Sequence, residues 1–588
     1  MWRPRIKRTD IGTIAIHSWM VATLLVSIAT GLRFELELSE SEYLQYLAPV
    51  LPVSYIWILH LFAGTNIVAV AVAYPIYLYA TGLKQRIALN ATRFRGLLSP
   101  GPARWAAVNV ILYWALFGGL VIQIVTGLAL FRGYGGWLVQ AHLYVTWLIV
   151  AYVIAHVAAH FAFGGLKQIM RIVRPSPIPG VASASGRAAP RIDGRGGRGA
   201  TALALSVGAG LVAGYLFLYH DRSTRDVLHA RRISTLAMQN LQADLSDAAW
   251  RTPPLVVQTN QGANFDGTGA TAVEIRAVHD GRYIGMAFSW FDPTRSLKHT
   301  PLVKRADGWR ALFEPPAERR PIQAEKASFA SETRKRYEDG IAEDKFAIML
   351  TDVEKPYGPG AFHPGAKPLA DKPPSSSGRG MHYTLDGSSM NVWLWHADGA
   401  ASGRCENARV GGAPKPTSDQ ARGLAPYKGG IVAEADEATV LDNFWPTLPR
   451  DSDGVVTPRR LPKAAAVRSD MSQVDLDPDY GDPPDGRWRL LEEESEPYSA
   501  EGDARLPVGS IIPGLIAPAP RPAGPRDVYC SANWAGGRWM LFVKRRLDTG
   551  GKGDVSISNR THMWVAAFDH TIADHTRHIR PLRLELKE

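Results

Sequence analysis

The chain has 588 residues, a formal net charge of +11 and a mean hydropathy of −0.09. That length exceeds what one hydrophobic core usually serves, so at least two domains are expected. The near-zero average hides a very apolar first third and a polar remainder, and the surplus arginines flank apolar runs with no aromatic stacking platform beside them, which excludes nucleic-acid binding as the reading of the charge.

Apolar runs occur at Ile11–Leu32, Val53–Ala80, Trp105–Phe131, Trp137–Phe163 and Ala200–Tyr219. Each is long enough to cross ~30 Å of hydrocarbon at ~1.5 Å per residue, giving five predicted spans. No small-residue cleavage site follows the first run, which reads as a signal anchor. Basic residues fall before span one (Arg3, Arg5, Lys7, Arg8), between spans two and three (Lys84, Arg86, Arg93, Arg95, Arg104) and after span four (Lys167, Arg171, Arg174, Arg187, Arg191, Arg195, Arg198). The first loop instead carries Glu35, Glu37, Glu40 and Glu42. With five spans all three basic segments lie on one side, which predicts a cytoplasmic N-terminus in a bacterial inner membrane and an exported C-terminal part.

Four histidines lie inside these runs: His17 in span one, His60 in span two, and His142 and His156 in span four. At helical rise, His17 and His156 both sit ~10 Å from the cytoplasmic face, while His60 and His142 sit near the outer face. His142 and His156 are fourteen residues apart, four turns of a supercoiled bundle helix, so both rings point inward about 21 Å apart. Buried singly, such a histidine packs against a carbonyl or lines a polar cavity. Four at paired depths instead predict two b haems, one between His17 and His156 and one between His60 and His142. His160 is the rival to His156, at a shallower depth better suited to a propionate or quinone contact.

This pattern resembles the di-haem cytochrome b family, meaning the cytochrome b561-like proteins and the b-type subunits of formate dehydrogenase and nickel-iron hydrogenase. In that family the first two helices give one ligand each and the fourth gives two. The resemblance covers about residues 5–175, assigned as a di-haem domain over residues 1–174, and implies exchange with the membrane quinone pool. Thr30-Gly31-Leu32-Arg33 and Thr126-Gly127-Leu128 are two further family-like features. There a glycine lets the helix approach a macrocycle, and Arg33 or Arg132 pairs with outer-haem propionates. The alternative is ordinary small-residue helix packing with snorkelling arginines.

Residues 175–199 are rich in Pro, Gly, Ser, Ala and Arg and form a flexible cytoplasmic linker. Residues 200–220 form the fifth span, and residues 221–588 the periplasmic domain. A helical segment is expected over Arg222–Arg251, followed by strands. Hairpins are predicted for Thr271–Val278 with Tyr283–Phe291 and for Asp527–Trp534 with Arg538–Arg546. Further strands are expected at Phe346–Leu350, Asn391–His396, Trp488–Leu491, His562–Phe568 and Leu582–Leu586, separated by long Pro/Gly loops. The predicted architecture is a membrane four-helix bundle plus one extra transmembrane helix, followed by an exported antiparallel β-sandwich. Cys405 and Cys530 are the two cysteines; they form one disulfide or remain two buried thiols. No Cys-x-x-Cys-His occurs, which excludes the usual covalent c-type haem attachment.

The segments Ala287-Phe288-Ser289-Trp290-Phe291-Asp292-Pro293-Thr294, Gly378-Arg379-Gly380-Met381-His382-Tyr383, Val392-Trp393-Leu394-Trp395-His396-Ala397 and Gly537-Arg538-Trp539 resemble the haem-binding γ subunit of ethylbenzene dehydrogenase. Its relatives in dimethylsulfide dehydrogenase and selenate reductase are similar. The likeness covers about residues 245–588. It implies a third b haem, held in that family commonly by Met and Lys. Here the corresponding positions offer His578, with His575 as runner-up, and His363, with Met349, Met381 and His382 as rivals; His299 is a weaker candidate. The expected function is transmembrane electron transfer between the quinone pool and a periplasmic cytochrome c or oxidoreductase, within a respiratory chain or larger respiratory complex. The alternative is a membrane anchor whose exported domain is a haem-free docking module. No acid–base or nucleophilic constellation is evident.

Overall fold

The structure, a computed structural model, describes residues 11–39, 46–47, 50–52, 56–132, 134, 137–170, 197–224, 226–241, 247–260, 264–312, 341–352, 390–398, 403–410, 431–432, 440–445, 455–463, 488–519, 521–571, 575–578 and 580–588. The chain divides into two compact units, one built from the apolar helices and one from the strands that begin after residue 225.

The first unit contains α1 (Ile11–Ser39), α2 (Ile56–Ala80), α3 (Pro102–Phe131), α4 (Trp137–Ile169) and α5 (Gly197–Ser223). All five are long and apolar enough to cross a membrane. Much of their apolar surface faces outward, Leu148, Ile154 and Leu211 among it, as expected where lipid replaces water. Packing between the helices therefore rests on close backbone approach and on a few polar ties. The Trp19 indole donates to Asn66 Oδ1 at 3.0 Å and joins α1 to α2. Gln123 Nε2 donates to Thr146 Oγ1 at 2.5 Å and joins α3 to α4. Against α2, helix α5 presents Ala202, Ser206, Gly210 and Gly214, one small residue per turn. A Cβ on Gly210 would come within 2.5 Å of the Ala69 carbonyl oxygen, so glycine is required at that crossing.

The second unit is built on one large sheet. Its strands are β1 (Val227–Arg232), β2 (Leu255–Thr259), β3 (Thr271–His279), β4 (Tyr283–Phe291), β5 (Lys345–Thr351), β6 (Met390–His396), β7 (Arg404–Val410), β8 (Val528–Ala535), β9 (Arg538–Arg546), β10 (His562–Phe568) and β11 (Leu582–Lys587). Neighbours run β1-β11-β10-β5-β6-β7-β8-β9-β4-β3, and β1 pairs again with β3, so ten strands close into a ring with β2 attached to β3 outside it. Antiparallel pairing holds except at β1, which is parallel to both β11 and β3. The two predicted hairpins are present. Ala535 faces Arg538 across Gly536 and Gly537, whose φ values of 59° and 73° give the two-residue turn that matches strand twist.

The expected β-rich C-terminal unit is thus found, with its main sheet closed on itself instead of ending in two free-edged layers. The closing element is β1, which lies inside the stretch expected to be helical over Arg222–Arg251. Among the described residues, helix there comprises the last two residues of α5, Thr235–Asn240 and a turn at Ala248–Trp250. Inward residues of the ring interlock Trp290, Trp395, Trp539 and Phe346, with Trp290 stacked on Phe346 at 4.5 Å and Trp395 edge-on to Trp539 at 4.9 Å. Cys405 and Cys530 lie on the adjacent strands β7 and β8 within this core and form a disulfide, Cα–Cα 5.6 Å.

Candidate functional site

The bundle brings the four span histidines together in two pairs. His17 of α1 and His156 of α4 have ring centroids 6.4 Å apart. His60 of α2 and His142 of α4 also stand 6.4 Å apart. Two imidazoles on opposite sides of one iron, each nitrogen about 2 Å from the metal and about 1 Å from its own ring centre, require a centroid spacing of this size. The pairs lie two layers apart along α4.

Their surroundings differ. His60 Nδ1 lies 2.8 Å from Thr30 Oγ1 and His142 Nδ1 lies 2.8 Å from Thr126 Oγ1. Phe34 packs edge-on to His60 at 5.4 Å. In the other pair, Nδ1 of both His17 and His156 is buried without a hydrogen-bond partner. Tyr152 stacks on His156 at 5.4 Å, and His160 meets His156 edge-on at 4.5 Å, beside the pair and not in it. Buried imidazole nitrogens left unpartnered in an apolar bundle are costly unless another group takes them up. Of the two predicted propionate partners, Arg33 is buried at 1% exposure at the end of α1, whereas Arg132 is exposed.

In the β unit, His578 is buried with both nitrogens engaged. Nδ1–H donates to the Arg580 carbonyl at 2.8 Å, and Nε2 accepts from the Val565 amide at 3.0 Å. Burial lowers its pKa to about 4, so it stays neutral. The runner-up His575 donates Nδ1–H to the Thr576 carbonyl at 2.9 Å, which makes Nε2 its acceptor nitrogen. His363, Met381 and His382 lie outside the described residues. Met349 lies within β5, opposite Trp564 and Val392.

His299 belongs to a buried ionic cluster at one end of the ring. Glu343, with no exposed side-chain surface, accepts from His299 Nδ1 at 2.5 Å and from His396 Nδ1 at 2.6 Å. Burial alone would lower both imidazoles, but Glu343 with Asp442 pushes His299 up to about 9, and Glu406 with Glu343 pushes His396 up to about 9. Burial would raise Glu343, yet His299 and Lys345 hold it well below the usual carboxylate range. Both histidines are thereby held protonated on the Glu343 carboxylate. Nearby, Asp344, Asp569 and His570 bring one donor atom each within 4.8 Å. Asp344 accepts from the Ser296 and His570 amides and the Trp539 indole, and Asp569 accepts from the Phe265 amide. Those bonds give the carboxylates the work of fixing loops.

Two stacked imidazole pairs in an apolar bundle, carried on one chain with a closed β unit, define a membrane cytochrome with an appended β domain. The family model for ethylbenzene dehydrogenase matches residues 247–580, and the chain belongs to that family. The model for prokaryotic cytochrome b561 matches residues 8–174, which places haem b in the membrane unit and makes the protein a transmembrane haem b electron-transfer protein. A comparison with curated proteins finds no match. Among solved structures, a Bacteroides uniformis protein described as carbohydrate-binding is similar at 8% identity and a TM-score of 0.21, over 62% of this chain and 100% of its own.

Proposed function

We propose that the protein carries electrons between the membrane quinone pool and a periplasmic redox partner, a cytochrome c or an oxidoreductase. The observation that carries this reading is the pair of 6.4 Å imidazole spacings at two depths of one bundle. His17 and His156 hold the haem nearer the cytoplasmic face, and His60 and His142 hold the outer one. Haem supplies one-electron chemistry when bound; the chain sets its position and its electrostatic surroundings. Arg33, buried on α1 three residues beyond Thr30, would neutralise a propionate of the outer haem, and the exposed Arg132 would serve a second one more weakly. The basic segments favour a cytoplasmic N-terminus in an inner membrane and a periplasmic β unit. The disulfide supports an oxidising compartment for that unit.

The β unit, by its family, holds a third b haem. For that haem His578, with His575 as runner-up, would supply one ligand and His363 the other. A second reading is favoured by the commitment of both His578 nitrogens and by the side-chain-filled ring: this unit is haem-free and docks the partner. Pyridine haemochrome of the full chain separates them, three haems per chain supporting the first and two the second. His60→Ala or His142→Ala is expected to remove the outer haem and spare the inner, and His17→Ala or His156→Ala the reverse. Loss of both haems from a folded single variant would refute the pairing.

A further inference from the structure

We propose that Thr30 and Thr126 form matched clasps that set the tautomer of His60 and His142 and lower the reduction potential of the outer haem relative to the inner one. The proposal rests on the haem-ligand reading of those histidines and adds to it a built-in difference between the two sites.

A hydroxyl has a single hydrogen to donate. Thr30 Oγ1 lies 2.7 Å from the Val26 carbonyl, and Thr126 Oγ1 lies 2.8 Å from the Ile122 carbonyl. A carbonyl can only accept, so each hydroxyl gives its hydrogen back to its own helix. Toward the imidazole the oxygen is then an acceptor, and the proton of the 2.8 Å contact sits on Nδ1 of His60 and of His142. That tautomer leaves Nε2 as the lone-pair nitrogen in both rings, as a metal ligand requires.

The residue after each threonine is a glycine. A Cβ on Gly31 would stand 3.6 Å from His60 Cε1, and one on Gly127 would stand 3.2 Å from His142 Cε1. Gly127 thus makes room for the His142 edge, whereas a Cβ at Gly31 would make ordinary contact with His60, so what the two clasps share is the threonine. Among the described residues the inner pair has no such device, because Nδ1 of His17 and of His156 meets no hydrogen-bond partner there. An Nδ1–H that donates makes its imidazole a stronger electron donor, which favours ferric over ferrous iron and lowers the potential. Thr30 and Thr126 are thus positioning residues that act through the ligands.

The test is a spectroelectrochemical titration of Thr30→Val, Thr126→Val and their double variant in detergent-purified full chain. The His17→Ala and His60→Ala proteins identify which spectrum belongs to which haem. The expected result is an upward shift of the outer haem's potential in each valine variant, larger in the double, with the inner haem unmoved and Thr30→Ser and Thr126→Ser close to the parent. Selective loss of the outer haem in the valine variants, with the serine variants retaining it, supports the same clasp. The proposal is overturned if the outer potential stays fixed in the valine variants, if both haems shift alike, or if serine behaves as valine does. Retention of the outer haem in His60→Ala would instead sink the ligand assignment on which it rests. Because the two clasps are on different helices, either single variant tests the idea if the other does not fold.

Discussion

Glu343 accepts from two protonated imidazoles, so its removal leaves each buried cation with only a more distant carboxylate at 3.7 Å, Asp442 for His299 and Glu406 for His396. Glu343→Gln is expected to destabilise the β unit by about 3–5 kcal/mol in thermal or urea unfolding. The histidines also link stability to pH. Their folded pKa values near 9 exceed the ordinary 6.5, so their contribution is complete below pH 6.5 and is lost as pH rises through 9. The difference in thermal midpoint between pH 6.5 and pH 9 should therefore be smaller in His396→Gln than in the parent; an equal difference would show that His396 does not titrate in this window. At this scale the sequence was partly readable. The four span histidines stood out because an ionisable group is rare in an apolar run, and spacing alone paired them as the fold does. The Thr-Gly repeats were visible, but their role was not. The partner of Gly31 and Gly127 is an imidazole edge from the next helix, a neighbour that only packing reveals. The choice of His578 rested on chain position, which says nothing of the Val565 amide that occupies its Nε2.

Helix α5 gives the sharpest contrast between elements. Its glycines at 210 and 214 look alike in sequence, yet a Cβ at 210 meets the Ala69 backbone at 2.5 Å, while one at 214 finds a methyl of Thr65 at 3.4 Å. Gly210→Ala should cost about 1–3 kcal/mol of bundle stability by overpacking, and Gly214→Ala much less; equal losses in detergent melting curves would contradict the seam. All five spans could be read from hydropathy, since in a membrane the solvent itself selects helices. Most strands of the β unit were legible from alternation and turn residues. β1 was not, because Val-Leu-His-Ala-Arg-Arg buries only Leu228 and Ala230. It is stabilised by β3 and β11, which lie far along the chain, so no local pattern announces it and the closure of the sheet could not be foreseen.

For the molecule as a whole, the Cys405–Cys530 bond spans 125 residues. In the chain-entropy account a loop of that size is worth about 5 kcal/mol. Replacing both cysteines by alanine should lower the thermal midpoint of the β unit by about 10 °C while leaving the spectra of the membrane haems unchanged; an unaltered midpoint would mean the bond contributes little once the ring is formed. The ring has one more property, concerning the order of events. Its stave β1 follows almost directly on α5, but β1 cannot be flanked on both sides until residues 582–587 have also been made. During synthesis the unit is therefore an open sheet with unpaired edges for over 300 residues of chain, slow to fold and prone to wrong partners throughout. A cell making this protein must shield that interval, and the yield of intact cytochrome depends on how well it does so.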